Sequence, residues 1–133
     1  MFESSREMLN TPFAKKFAAD WINAWNKGDL LAVLSHYTDD FEMSSPNIQT
    51  VFGEPSGKLV GKERVRAYWQ TMLSKFGTPQ MELVDVFSGA CSIAIQYRNR
   101  GRKAVEIFFF DESGLVNKAA AHYLGDNDFK LEQ

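Results

Sequence analysis

The first long run of helical periodicity in the chain follows Thr11-Pro12. Its apolar residues recur every three or four positions and form one stripe: Phe13, Phe17, Trp21, Ala24 and Trp25. Thr11 can accept an early backbone N–H, and Pro12 suits the first position of a helix. Gly28 predicts the end of this helix, and Asp29 is predicted to cap a second, shorter one. This second helix is predicted to carry Leu30, Leu31, Val33, Leu34 and Tyr37.

After Asp40 the apolar period changes from helical to alternating, which is typical of a half-buried strand. The alternating residues on one face are Phe41, Met43 and Ser45. Pro46 is predicted to end this strand, and residues 46–58 are predicted to form a long loop overhanging a pocket mouth. A third helix is predicted to begin at Gly61 and to end at Gly77, where a glycine and a following proline stop the pattern.

The second half of the chain has the character of strands joined by tight turns. We expect strands near residues 81–88, 91–99, 103–111 and 115–124. Short turns between consecutive strands force an antiparallel meander. Three helices before such a meander predict an α+β fold, in which the helices pack on the sheet.

Composition narrows the class of protein further. The chain has 133 residues, of which 44% are apolar and 24% charged, as in a single soluble globular domain. A net charge of −2 without a polybasic segment argues against nucleic-acid and membrane binding. The single cysteine, Cys91, and the lack of a signal-peptide pattern predict a cytoplasmic protein. We assign residues 11–125 to one domain, residues 1–10 to a polar lead-in and residues 126–133 to a polar tail.

The predicted strand KAVEIFFF is apolar on both of its faces. Residues that point one way are Ala104, Glu106, Phe108 and Phe110, and those that point the other way are Lys103, Val105, Ile107 and Phe109. One face is expected to pack against the helices. The other face needs a cover from water. We expect a second copy of the chain to supply it, which predicts a homodimer through this outer face.

Glu106 is the residue of this strand that demands an explanation. An ionised carboxylate is costly to bury among aromatic residues and tends to take up a proton. Glu106 could instead lie at a strand edge or bulge and reach water, Arg98 or Arg102. The residues alone leave these two alternatives open.

Several short pieces of sequence occur in a characteristic order between about residues 12 and 125. They are Ala24-x-x-x-Gly28-Asp29, Tyr37-x-Asp39-Asp40-Phe41, Gly61-x-x-x-Val65-x-x-Tyr68-Trp69, Gly101-Arg102-Lys103 and Phe110-x-x-x-Gly114-x-Val116. Together they resemble the nuclear-transport-factor-2-like superfamily, which includes ketosteroid isomerases and SnoaL-like polyketide cyclases. The resemblance implies a SnoaL-like α+β barrel, in which three N-terminal helices pack on a curved antiparallel sheet that encloses a conical pocket, usually in a dimer.

The resemblance also assigns site positions by comparison with the ketosteroid isomerases. Trp21 falls where the family has its oxyanion tyrosine, and Tyr37 and Trp69 fall on two supporting tyrosine positions. Glu106 falls on the position of a protonated aspartic acid, which places it inside the pocket with Phe108 and Tyr123. Ser45 replaces the general base, and a serine without an adjacent histidine has no suitable pKa for that task. Steroid isomerase chemistry is therefore not expected.

The remaining candidates for chemistry are weaker. Asp39 and Asp40 are adjacent residues at a turn and are expected to be solvated, and the two histidines have no metal-ligand spacing. We predict no metal and no cofactor. His122 is expected on the outer face of the sheet, and the basic run 98–103 is expected to be a solvated turn.

Three functions remain open at this point. The first is binding of a small apolar or ring-shaped molecule, with Trp21, Tyr37, Ser45, Trp69, Phe108 and Tyr123 as pocket residues. The second is an isomerase-, cyclase- or hydrolase-type enzyme that uses Glu106 as its acid–base group. The third is a dimerisation module whose pocket is vestigial and filled by side chains.

Overall fold

The structure is a computed structural model and describes residues 11–125, with the Thr11 side chain excluded. The predicted lead-in, the predicted tail and the proposed cap at Thr11 lie outside the described part. The helices are α1 (Thr11–Asn26), α2 (Leu30–Leu34), α3 (Pro46–Thr50) and α4 (Lys62–Phe76). The strands are β1 (Tyr37–Ser44), β2 (Lys58–Val60), β3 (Met81–Ser88), β4 (Ser92–Asn99), β5 (Arg102–Phe110) and β6 (Val116–Tyr123).

The predicted ends of the helices are confirmed where local chemistry decides them. Gly28 follows α1 with a φ of 68°, which a glycine adopts without the clash that a side chain causes. Asp29 caps α2, because its Oδ1 accepts a hydrogen bond from the backbone N–H of Ala32 at 3.1 Å. Gly77 ends α4 with a φ of 77°.

Two sequence predictions in the first half of the chain were wrong. Tyr37 does not belong to α2, which ends at Leu34; it begins β1, four residues earlier than the alternating pattern starts. Residues 46–58 are not one long loop, because they contain α3 and the start of β2. Ser45 begins α3 as its N-cap, and its Oγ accepts from the backbone N–H of Asn47 at 3.1 Å.

The six strands form one curved sheet in the order β2-β1-β6-β5-β4-β3. The predicted antiparallel meander from β3 to β6 is confirmed. β1 differs, because it pairs in parallel with β6 and antiparallel with β2. The sheet therefore has two edge strands and does not close, so the expected barrel is an open one.

The inner face of the sheet packs on α1 through aromatic rings. Phe17 lies edge-on to Phe108 and Phe110, with ring centroids 5.0 and 5.1 Å apart. One turn further along α1, Trp21 packs edge-on against Phe108 at 5.1 Å. Edge-to-face packing of this kind is a favourable arrangement for buried aromatic rings. No helix within residues 11–125 is long and apolar enough to cross a membrane.

Candidate functional site

A cavity of about 670 Å³ lies between the inner face of the sheet and the helices α1, α3 and α4. Its buried wall includes Trp21, Trp25, Tyr68, Trp69, Tyr97 and Glu106. Exposed residues also border it, among them Phe76, Arg100 and Arg102. The exposed residues place the mouth where the end of α4 meets the β4–β5 hairpin.

Glu106 is the acidic group among the described residues that border the cavity. It lies at the middle of β5, between Ile95 on β4 and Ala121 on β6, and only 4% of its surface is exposed. Burial raises the pKa of this carboxyl to about 8, although a hydrogen bond from Tyr97 partly offsets the rise. The carboxyl therefore carries its proton at pH 7 and can donate a hydrogen bond to a ligand oxygen.

Phenol groups surround this acid. Burial raises the pKa of Tyr97 well above its ordinary value. The negative charge that Glu106 carries at high pH raises the pKa of Tyr97 further. The same two causes raise the pKa of Tyr123 to about 12. Burial, followed by the neighbouring Tyr123, raises the pKa of Tyr68 as well. All three phenols stay protonated at neutral pH, so the inner end of the cavity offers hydroxyl groups without carrying charge.

The two tryptophans of α1 border the cavity with different partners. The Trp21 indole N–H donates to the Tyr37 hydroxyl at 3.0 Å, so the structure itself satisfies this donor. The Trp25 ring lies edge-on to Trp69, with centroids 5.0 Å apart. Its indole N–H is buried and has no hydrogen-bond partner within residues 11–125. A buried donor without a partner is unfavourable, so this N–H costs the folded protein stability.

The segment after β1 forms another part of the wall. Asn47, Thr50 and Val51 border the cavity from α3 and its end. Asn47 Nδ2 donates to the Tyr123 hydroxyl at 3.3 Å and thereby links α3 to β6. The cap at Ser45 thus positions the residues that cover the cavity on this side.

Groups that could bind a metal do not assemble here. The described residues hold no cluster of three or more His, Cys, Asp or Glu side chains arranged to bind an ion. Asp39 is fully exposed on β1, with Lys62 as a distant partner at 3.6 Å. His122 is exposed and pairs with Val105 on the outer face of the sheet, as the alternation predicts.

The sequence pattern of the SnoaL-like domain matches residues 18–124, which is most of the chain. The chain belongs to the SnoaL-like domain family. The resemblance noted from the sequence pieces is thus confirmed, and so is the α+β fold that it implied.

Solved structures of other proteins are similar to this chain. A SnoaL-like protein of unknown function from Burkholderia thailandensis E264 is 48% identical, with 88% of this chain and 98% of that chain covered and a TM-score of 0.84. The epoxide hydrolase/cyclase-like enzyme SalBIII, which has a role in pyran ring formation in salinomycin, is 17% identical over 91% of this chain and 97% of its own, with a TM-score of 0.71.

A third solved structure supports the same fold. The protein of unknown function with a cystatin-like fold from Methylobium petroleophilum PM1 is 16% identical over 89% of this chain and 80% of its own, with a TM-score of 0.69. At this identity, as for SalBIII, the likeness shows the fold alone. No curated protein matches the chain at a significant level.

In this SnoaL-like protein the predicted site residues occupy two layers. Trp21, Trp69, Glu106 and Tyr123 border the cavity. Tyr37, Ser45 and Phe108 are buried but do not border it. They support the wall from behind, Tyr37 through Trp21 and Ser45 through α3. Contact of any of the seven residues with a ligand stays a prediction.

The sequence does not single out two polar residues of this SnoaL-like cavity. Tyr97 is predicted only as part of a strand. Arg100 was assigned to a solvated turn. The sequence did contain a signal for Tyr97. Counted from the turn, Tyr97 is as far back along β4 as Ala104 is forward along β5, so the two residues pair. Paired residues share a face, and Ala104 is on the same face of β5 as Glu106.

Proposed function

We propose that this protein binds a small ring-containing molecule that carries a hydrogen-bond acceptor. The observation that carries the proposal is the cavity of about 670 Å³ with a buried, protonated Glu106 in its wall. Ligand sites commonly have volumes of ~300–1,000 Å³, with apolar walls and a few placed polar groups.

The walls and donors favour this class of ligand. Trp25 and Trp69 offer ring surfaces that suit a flat, apolar body. The neutral carboxyl of Glu106 is a donor, so a carbonyl or ether oxygen is the complementary group on the ligand. The cavity volume also disfavours the vestigial pocket, which requires side chains to fill this space.

Ligand binding can be tested with the neutral fluorescent probe N-phenylnaphthylamine and by mass spectrometry of molecules that co-purify. Leu73→Trp places a large side chain at the cavity wall, whereas Leu31→Trp changes a residue on α2 that is 71% exposed. We expect the probe to bind to the wild type and to Leu31→Trp, and to lose at least tenfold in affinity with Leu73→Trp, about 1.4 kcal/mol. Equal binding to both variants would contradict a site in the cavity.

A second candidate function is acid–base catalysis by Glu106. A pKa of about 8 lets this carboxyl give up and take back a proton near neutral pH, which a carboxyl with an ordinary pKa does poorly. Tyr97 donates a hydrogen bond from its hydroxyl to this carboxyl and so holds it in place at the cavity wall. Proton transfer by such a carboxyl suits isomerase-, cyclase- and hydrolase-type reactions, and Ser45 does not supply a second base.

Glu106→Gln separates binding from turnover. The amide keeps the shape of the side chain but cannot act as an acid or a base near neutral pH. Incubation of candidate cyclic ketones and epoxides with the wild type should give product that Glu106→Gln does not give, while probe affinity stays within about threefold, ~0.7 kcal/mol. If every detected activity survives in Glu106→Gln, the enzymatic proposal fails and the binding proposal stands.

We also propose that two copies associate through the outer face of the sheet. Phe87 and Phe109 are 57% and 40% exposed on this face. Ala94 of β4 and Ile107 of β5, which pair with each other, lie on the same face. A large exposed apolar patch favours association. Sedimentation at micromolar concentration should give a dimer for the wild type and for Leu31→Lys, and a monomer for Ile107→Lys. A monomeric wild type would refute the proposal.

A cytoplasmic location is the remaining part of the proposal. It is supported by the use of one cysteine, which can form no internal disulfide. Fractionation of cells that express the tagged full chain should recover it with the cytoplasmic fraction, and recovery outside that fraction would contradict this part alone.

A further inference from the structure

We propose that the cavity selects an anionic ligand, whose ring lies inside while a carboxylate, sulfonate or similar anionic group binds Arg100 at the mouth. This inference rests on the proposed function, since it requires that a ring-containing molecule enters the cavity. It adds the charge of that molecule and the direction in which it lies.

The backbone of Arg100 is the first observation. Arg100 stands with Gly101 at the tip of the β4–β5 hairpin and has a φ of 53°. It is the one residue other than glycine with a positive φ in the described part of the chain. Two-residue hairpin turns of this kind favour asparagine, aspartate or glycine, because a longer side chain adopts the left-handed conformation at a cost. The turn itself therefore does not call for an arginine.

The side chain of Arg100 is held at the cavity mouth. Its Nη2 donates to the backbone oxygen of Thr78 at 2.7 Å. A Cβ built at Gly77 would lie 3.7 Å from the same nitrogen, so the guanidinium passes close over this glycine. Gly77 and Arg100 both border the cavity. A guanidinium has five N–H donors, and the bond to Thr78 uses one of them.

The charges around the mouth favour an anion. Glu106 is the one acid among the described residues that border the cavity, and it is neutral at pH 7. Arg100 borders it as a cation. Glu82 and Arg100 both border a second groove, but none of the described carboxylates lies within 4.0 Å of the Arg100 guanidinium. The chain as a whole has a net charge of −2, so overall composition does not explain the positive charge of Arg100 at the mouth.

The competing explanation is that Arg100 serves only to tie the hairpin to the segment after α4. A tether would matter equally for charged and neutral ligands, because it acts through the shape of the mouth. An arginine that binds the anionic group would affect the affinity for charged ligands only, because a neutral ligand has no group that forms the charge-assisted hydrogen bond. A pair of probes that differ in one charged group distinguishes the two explanations.

Anilinonaphthalene sulfonate and N-phenylnaphthylamine are such a pair, since they share a ring body and differ by a sulfonate. Fluorescence titrations would compare the full-length wild type with Arg100→Gln. Arg98→Gln is the matched control, because it removes the same charge from the strand beside Lys103 on the outer face. Leu73→Trp reports whether either probe binds in the cavity.

We expect the sulfonate to bind about tenfold more tightly to the wild type than the neutral probe does, as one charged hydrogen bond allows. Arg100→Gln should remove this tenfold preference and leave the affinity for the neutral probe unchanged, and Arg98→Gln should change neither affinity. Equal affinity of the wild type for both probes, or equal weakening of both by Arg100→Gln, would overturn the inference and leave the proposed function intact. Failure of both probes to bind in the cavity would overturn the proposed function itself.

Discussion

The two ends of the protein interior differ in how they are filled, and the inner face of β5 accounts for the difference. At one end Phe108 and Phe110 project into the interior and meet Phe17 of α1 at ring distances of 5.0 and 5.1 Å. At the other end the same face carries Ala104 and Glu106, and a cavity of about 670 Å³ remains there. One strand thus builds a solid core and a hollow one, according to the side chains at alternate positions.

The helix that faces β5 follows the same division. Its first turns carry Phe13 and Phe17, which pack against other phenylalanines. Its last turns carry Trp21 and Trp25, which border the cavity. The filled end is therefore expected to supply stability, whereas the hollow end supplies a surface for a ligand at a cost in packing.

The largest expected effect is loss of packing at the filled end. Phe108 is fully buried and packs against Phe17 and Trp21. Phe108→Ala should lower the free energy of unfolding by about 3–5 kcal/mol, because it removes these contacts and leaves a void. Phe109→Ala, on the outer face of the same strand, should cost less than about 1.5 kcal/mol. Urea denaturation checks both, and similar costs would contradict the division.

The second effect concerns the dependence of stability on pH at the hollow end. The folded-state pKa of Glu106, about 8, lies above its ordinary value of 4.5. The folded protein therefore holds this proton more tightly than the unfolded chain does. The stabilisation is complete below pH 4.5 and is lost as the pH rises toward 8.

Glu106→Gln isolates this contribution from the other groups that titrate in the same range. The wild type should lose about 1.4 kcal/mol of stability per pH unit relative to Glu106→Gln between pH 5 and pH 7.5, roughly the limit for one proton. Glu82→Gln, at an exposed position on β3, should follow the wild type. Denaturation curves of Glu106→Gln and the wild type that stay parallel with pH would refute a raised pKa.

The third effect comes from enlarging a small side chain at each end. Ala119 is fully buried opposite Phe108, so Ala119→Leu should cost about 1–3 kcal/mol through overpacking. Ala104 borders the cavity, so Ala104→Leu should change stability by less than about 1 kcal/mol. Thermal unfolding of the two variants measures the contrast. An equal cost at both positions would mean that the hollow end has no room for the added carbons.

The smallest effect distinguishes the two tryptophans of α1. Trp21→Phe removes a hydrogen bond to Tyr37 as well as volume, whereas Trp25→Phe removes volume and a donor without a partner. Trp21→Phe should therefore be more destabilising than Trp25→Phe by about 1–2 kcal/mol. Urea denaturation of both variants tests the order, and a more costly Trp25→Phe would contradict it.

The sequence predicted the long elements because their periodicity is local. The stripe of α1, the caps at Gly28 and Asp29 and the meander from β3 to β6 follow from neighbouring residues. The short elements α3 and β2 were missed. β2 has only three residues, and Ser45-Pro46, which caps and starts α3, was interpreted as the end of a strand. The parallel pairing of β1 with β6 joins distant parts of the chain, which local patterns do not encode.

The site was predicted less completely than the fold. Alternation along β5 placed Glu106 on the inner face together with Phe108, but it does not tell how far the helices stand from that face. The resemblance could not tell Trp21, which has an internal partner, from Trp25, which has none within the described residues. Arg100 was read as a turn residue because its contact with Thr78 bridges two loops.

Both proposed functions depend on a neutral carboxylic acid in the cavity wall at physiological pH. Carbon NMR of protein labelled at the glutamate carboxyl carbons, with the Glu106 signal assigned from Glu106→Gln, measures the titration of this group directly. We expect a midpoint at pH about 8. A midpoint near the ordinary value of 4.5 would contradict it, because the acid would then be ionised at neutral pH and could not donate a hydrogen bond.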